Sequence, residues 1–192
     1  MISLKGQFLV AMPDMADDQF RESVIYLVGH GDEGAMGLMV NRPVPDLRFA
    51  DILDELGLGD EDDTIHIPSQ VRDRTVLRGG PVDTGRGFVL HSTDYFRDGN
   101  SYLVSDDVGL TATVDVLKAV AFGDAPAESL LALGYCGWGP GQLEDEIQGN
   151  GWLTVPFARE LIFGTPVEKR YEVALARLGI TRASLSGAAG HA

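Results

Sequence analysis

The sequence predicts an α+β domain built on a mixed β-sheet, and three observations carry that prediction. The early part holds β-branched and apolar runs separated by tight-turn residues, the pattern of hairpins. The later part alternates strand-like with helix-like segments, which calls for crossover connections. The chain of 192 residues, 44% of them apolar, is long enough for one sizeable core, and no linker or internal repeat divides it. A single domain is expected over 1–180. The small, polar, aperiodic stretch 181–192 is expected to be a disordered tail.

Taken in order, 7–12 is the first expected strand, followed by a surface connection through Pro13, Asp14, Asp17 and Asp18. Residues 23–28 read as a central strand, because they are apolar without alternation. His30-Gly31-Asp32-Glu33-Gly34 is a hairpin turn and 35–40 the returning strand, ending at Asn41-Arg42-Pro43. Phe49, Ile52, Leu53 and Leu56 share one face of a helix, with Asp46 ahead as its cap and Gly57 and Gly59 at its end. The acidic run Asp60-Glu61-Asp62-Asp63 fails as a calcium loop, with Ile65 where glycine and Val71 where glutamate are needed, and reads as a solvated loop. Residues 75–77, 87–91 and 101–104 are further strands. Val114, Leu117 and Ala121 share a face of the next helix, which stops at Gly123-Asp124-Ala125-Pro126.

Residues 129–133 then read as a buried strand, and 134–141 as a glycine turn opening a helix at Pro140. Leu143 and Ile147 line that helix, Asn150-Gly151 stops it, and 152–155 is a strand. Thr165-Pro166-Val167-Glu168 has the form of a capping box with proline in the first turn. Val167, Tyr171, Ala174, Leu175 and Leu178 make the apolar stripe of this last helix. The total is roughly six to eight strands and about four helices.

Charge narrows the function classes. A formal net charge of −14 repels phosphate backbones, so direct nucleic-acid binding is disfavoured. No apolar run reaches the roughly 18 residues of a membrane span, and 1–7 lacks the pattern of a signal peptide. A cytoplasmic protein is expected, and its single cysteine excludes an intramolecular disulfide.

The candidate chemistry is sparse. Gly137 and Gly139 supply two glycines of a dinucleotide motif, but Gln142 stands at the third position, and Glu144, Asp145 and Glu146 oppose an anion there. Cys136 ends a strand, where nucleophiles often sit, yet neither His30, His66 nor His91 is near it in sequence. The plainer reading of Cys136 is a small packing residue, and that of His91 a hydrogen-bonded structural histidine. No metal-ligand spacing and no cofactor motif occur. Arg72, Arg74 and Arg78 share one face if their stretch is extended, and Arg42 follows another strand. In an acidic chain these arginines are either tied to carboxylates or free to bind an anionic ligand or partner.

Four segments carry a family resemblance. Gly37-Leu38-Met39-Val40-Asn41-Arg42-Pro43, Arg78-Gly79-Gly80-Pro81-Val82, Phe88-Val89-Leu90-His91, and the run from Gly134-Tyr135-Cys136-Gly137-Trp138-Gly139-Pro140 to Leu153 occur in order. Over roughly 4–180 the chain resembles the YqgE/AlgH family of bacterial proteins. The resemblance implies a strongly bent or bifurcated sheet closing towards a pseudo-barrel, with helices outside. It implies no activity, since none is established for the family as a whole, although some members carry a transcriptional-regulator label. The family tolerates a small non-nucleophilic residue at the place of Cys136.

The candidate site is therefore a cleft lined by Asn41, Arg42, Arg78, Gly79, Gly80, His91, Gly137, Trp138 and Gly139. The first expectation is a non-catalytic binding or regulatory protein with a protein or small-molecule partner. The second is an enzyme assembled from Arg42, Arg78, His91 and Glu144, and the third a direct DNA-binding regulator.

Overall fold

The computed structural model describes residues 2–13, 15, 17–58, 67–123 and 125–184. Strands β1 (Phe8–Ala11), β2 (Val24–Gly31) and β3 (Gly34–Met39) are consecutive antiparallel neighbours, with a two-residue turn at Asp32 and Glu33. Then come β4 (Pro43–Arg48), α1 (Phe49–Glu55), the single turn α2 (Ser69–Arg72), β5 (Thr75–Arg78) and β6 (Val82–His91). β7 (Ser101–Leu103), β8 (Gly109–Thr111), α3 (Val114–Phe122) and the ten-residue β9 (Ser129–Trp138) follow. α4 (Gln142–Gln148), β10 (Trp152–Val155), the single turn α5 (Glu160–Phe163) and a 3-10 turn (Val167–Lys169) leading into α6 (Arg170–Ala176) complete the fold.

The α+β class is as expected, and the ten strands form one mostly antiparallel sheet that curls into a half-barrel. The main path runs β10-β1-β2-β3-β9-β6-β8-β7, and the β4–β5 pair branches from β9. The branch exists because β9 changes partner along its length. Ala132 and Leu133 lie opposite Leu77 and Arg78 of β5, in a parallel pairing. Cys136, Gly137 and Trp138 instead lie opposite Gly37, Met36 and Ala35 of β3. The change falls at Gly134, whose φ of +73° belongs to the left-handed region that favours glycine.

At this fork three backbones nearly touch. The Met39 N–H donates to the Gly79 carbonyl and the Gly79 N–H to the Leu133 carbonyl, both at 2.7 Å. A Cβ on Gly79 would stand 2.2 Å from the Gly134 carbonyl oxygen, and one on Gly80 would stand 2.1 Å from the Tyr135 carbonyl carbon. Only glycine fits at either place.

The sheet is covered on both faces. Phe8 and Val10 of β1 enter the core shared with α5 and α6, while Leu9 and Ala11 enter the one under α4. The period of two sends alternate residues to opposite faces. A third cluster joins Phe49 and Leu53 of α1 to Val76, Val89 and Leu131 and to Val116, Leu117 and Val120 of α3. Strands buried on both sides read as unbroken apolar runs, which is why β1 and β2 are evident from sequence.

Several local expectations are corrected. The stretch 134–138 continues β9, and the turn comes later, at Gly139-Pro140-Gly141. Its glycines serve the crossing backbones. Pro140 stands before the helix, which begins at Gln142 after Gly141 in the left-handed region. Asp46 does not cap α1, since it lies inside β4 at φ +58°. The Asp51 carboxylate accepts the Arg48 N–H at 2.6 Å instead. Arg72 ends α2, so Arg72, Arg74 and Arg78 do not form one extended face. No side chain caps the turn after Pro166, so the Thr165 box does not form. β4, β8, α2 and α5 are additions, each too short to show a period. In the expected tail, Thr181 and Ser184 bond to one another and Arg182 bridges Glu22, and 185–192 lie outside the described residues. So do Asp14, Gly59, the acidic run Asp60-Glu61-Asp62-Asp63, His66 and Asp124.

Gly80→Ala forces a methyl group into backbone atoms, and a loss of about 3 kcal/mol is expected in urea unfolding. Gly85→Ala, where a Cβ meets nothing within 4 Å, is the control and should be near neutral. Equal midpoints for the two variants would refute the role of the crossing.

Candidate functional site

The fork brings two of the predicted arginines together. The Arg78 N–H donates to the Arg42 carbonyl at 2.7 Å, so the two residues are fixed side by side by their backbones. Both line a groove of about 630 Å³ whose floor includes Met39, Pro43, Val44, Pro45 and Leu133. The Arg42 guanidinium donates to the Arg21 carbonyl. Neither Arg42 nor Arg78 forms an ion pair with a carboxylate among the described residues. Asp18, at the same groove, is bridged to Arg21. Asn41 is structural: its Oδ1 accepts the Val24 N–H and its Nδ2 donates to the Glu22 carbonyl, both at 2.8 Å. Gly79 and Gly80 form the crossing and offer no side chain.

Gly137, Trp138 and Gly139 belong to a different place, the far end of β9. There Trp138 and Trp152 meet edge to face with centroids 6.0 Å apart. Both indole N–H groups donate to one Glu146 oxygen, at 2.9 and 2.7 Å. Gln142 donates to the other Glu146 oxygen at 2.9 Å and accepts the Gly139 N–H at 3.0 Å. Every polar group of this cluster is occupied within the fold. Beside it, buried His30 accepts the Leu4 N–H at Nδ1 and so carries its proton on Nε2, 2.9 Å from Glu144. This pair fastens the N-terminal segment to α4.

His91 is also internal. Its Nδ1 donates to the Ser92 carbonyl at 3.0 Å and its Nε2 accepts from the Thr111 hydroxyl at 2.8 Å. Gly109 makes room for the ring, because a Cβ there would lie 2.4 Å from Cε1. Burial, more than any neighbour, holds its pKa below the ordinary 6.5. His91 faces Ser129 at the start of β9, whereas Glu144 lies beyond its end. The ten residues of β9, a contour of roughly 30 Å at about 3.3 Å each, run between them, and Arg42 and Arg78 meet β9 midway at Leu133, so Arg42, Arg78, His91 and Glu144 do not share a site. Cys136 is buried, donates to the Gly79 carbonyl at 3.4 Å, and has its thiol pushed up to about 12 by burial. Such a thiol supplies no thiolate near neutrality. Among the described residues, no group of three possible ligands could hold a metal ion.

One residue escaped sequence reasoning. A second cavity, of about 510 Å³, holds Arg74 and Arg170. Arg170 is only 5% exposed and donates to the carbonyls of Thr165 and Val40. The signal was available: Arg170 sits three residues after Val167 and four before Ala174, on the buried face of its helix.

Comparisons with known proteins agree with one another. A family model described as AlgH-like matches residues 8–183. UPF0301 proteins of Bradyrhizobium sp. (strain BTAi1) and Mesorhizobium japonicum are each 54% identical over 189 residues, 98% of this chain and 88% and 93% of theirs. The solution structure of the AlgH protein from Pseudomonas aeruginosa matches with a TM-score of 0.77 and 42% identity, over 99% of this chain and 96% of that one. A crystal structure of a Corynebacterium diphtheriae protein shares the fold at 17% identity, with a TM-score of 0.73 over 97% of this chain and 92% of that one.

Two expectations check the internal residues. Cys136 in the folded protein should resist a disulfide reagent at pH 8 and react promptly in denaturant; rapid native labelling would contradict the burial. For His91 the unfolded chain binds the proton at the ordinary pKa and the folded chain binds it less well, so the unfolded state holds more protons. Stability is therefore lost as the pH falls below about 6.5. The melting temperature should drop between pH 7 and pH 5 by more in the wild type than in His91→Gln; parallel slopes would show that His91 does not contribute.

Proposed function

Because this chain belongs to the AlgH-like family, we propose that it is a non-catalytic cytoplasmic binding protein whose Arg42–Arg78 groove takes an acidic segment of a protein partner. Any effect on transcription is then indirect, through that partner. The observation that carries the reading is that Arg42 and Arg78, held as neighbours by a backbone hydrogen bond, line one groove without carboxylate ion pairs among the described residues, in a chain of net charge −14. With acidic side chains so abundant, a basic pair left unmatched points outward.

The overall negative charge does not forbid this, because screening limits each charge to about 8 Å at physiological salt, and the groove is read locally. A nucleic acid samples a much longer stretch of surface and meets the whole field, which leaves direct DNA binding disfavoured. The groove also contributes apolar contact through Met39, Val44 and Leu133. Pro43 and Pro45 remove two N–H groups from β4, so a partner strand gains little by pairing along that edge. Recognition falls instead to the side chains.

The test is quantitative capture from the host lysate, using the wild type, Arg42→Glu, Arg78→Glu and the double variant. Each reversal should weaken the captured partner by about 2 kcal/mol, roughly thirtyfold, with the melting temperature unchanged. Lys118→Glu on α3 should leave capture intact. A partner retained equally by the double variant would end this reading.

A further inference from the structure

The cavity beside Arg74 and Arg170 plays no part in that proposal. It lies between α3, the segment leading into α6, and the strand ends at Thr75 and Ser129. Here the core shared with α5 and α6 meets the core under α1 and α3: Leu77 and Leu130 belong to the first, Leu117, Val120 and Leu131 to the second. These side chains give the cavity apolar walls. Its volume of about 510 Å³ is within the range of small-molecule sites.

Two cationic side chains line the cavity. Arg74 donates to the Ser129 hydroxyl at 2.8 Å, and Arg170 to the two carbonyls of Thr165 and Val40. Neither has a carboxylate in an ion pair among the described residues. Glu128, at the rim, is taken by Arg159. Apart from the Coulombic pull of Glu168 on Arg170, the two guanidiniums are matched by carbonyls and one hydroxyl, and an anion in the cavity relieves the cost of their burial. Guanidinium N–H groups match a carboxylate in two parallel bonds, and the apolar walls require hydrocarbon beyond it.

We propose that this cavity binds a medium-chain carboxylate, its head group at Arg74 and Arg170 and its chain along Leu117, Val120 and Leu131. A polar anion without a chain leaves the walls dry and unfilled, and a neutral lipid leaves both cations unmatched. Burial lowers the pKa of Arg74, and it holds Arg170 at about 10 against the opposing pull of Glu168.

The test is calorimetric titration and thermal shift of the full chain with octanoate, octan-1-ol, octylamine and acetate. Octanoate should bind saturably and raise the melting temperature, and the other three should not. Arg74→Gln, which removes a guanidinium bonded, among the described residues, to the Ser129 hydroxyl, should keep the fold and weaken octanoate by about tenfold or more. Leu117→Trp should block the chain's path. Arg42→Glu with Arg78→Glu should bind octanoate normally, which separates this site from the groove. The inference is overturned if millimolar octanoate shows no saturable binding, if octan-1-ol or octylamine stabilises equally, or if Arg74→Gln binds octanoate as the wild type does.

Discussion

The fold depends on one close approach, the passage of Gly79 and Gly80 across Gly134 and Tyr135. Three chain segments that are far apart in sequence exchange backbone hydrogen bonds there: Met39 with Gly79, and Gly79 with Leu133. The crossing is what lets β9 leave β5 and join β3, and so lets one sheet serve two directions. A flat sheet of ten strands would leave long edges open, and forking removes some of them by pairing. The same crossing sets Arg42 beside Arg78, so the architecture and the groove have one cause.

Two side-chain networks contrast with the arginines that line the cavities. His91, Thr111 and Ser101 form a closed chain of hydrogen bonds, and Trp138, Trp152, Gln142 and Glu146 form another. The members of these two networks are bonded to one another within the fold, and such networks rigidify what they join. The arginines differ. Among the described residues, Arg42, Arg74 and Arg170 bond to carbonyls or a hydroxyl and Arg78 forms no ion pair with a carboxylate, and all four line cavities.

How much of this was legible depended on the range of the interactions. β1 and β2 were plain, because strands buried on both faces are continuous apolar runs. α1 and α3 were plain from their helical period. The sequence reads the glycine run as a turn at 134, because glycine permits bending locally, and only the fold shows which backbone presses against it. The Arg42–Arg78 juxtaposition came from the family likeness; nothing in the spacing of thirty-six residues brings the two together. The same likeness places His91 and Trp138 with them, and the geometry separates them, since His91 faces the start of β9 and Trp138 ends it. Arg170 was legible as a charge on an apolar stripe, but its meaning needed the cavity.

The double indole clasp on Glu146 has a consequence for observing the molecule. Trp138 and Trp152 are the only tryptophans in the chain, and they sit in one edge-to-face pair on one carboxylate. Ultraviolet emission excited through indole therefore reports on the junction of β9, α4 and β10 alone. A fluorescence trace will follow the opening of that corner and stay silent about α1, α3 and the arginine cavities, some of them a full strand length away. A ligand entering beside Arg74 can leave the spectrum untouched while it changes the stability of the whole domain.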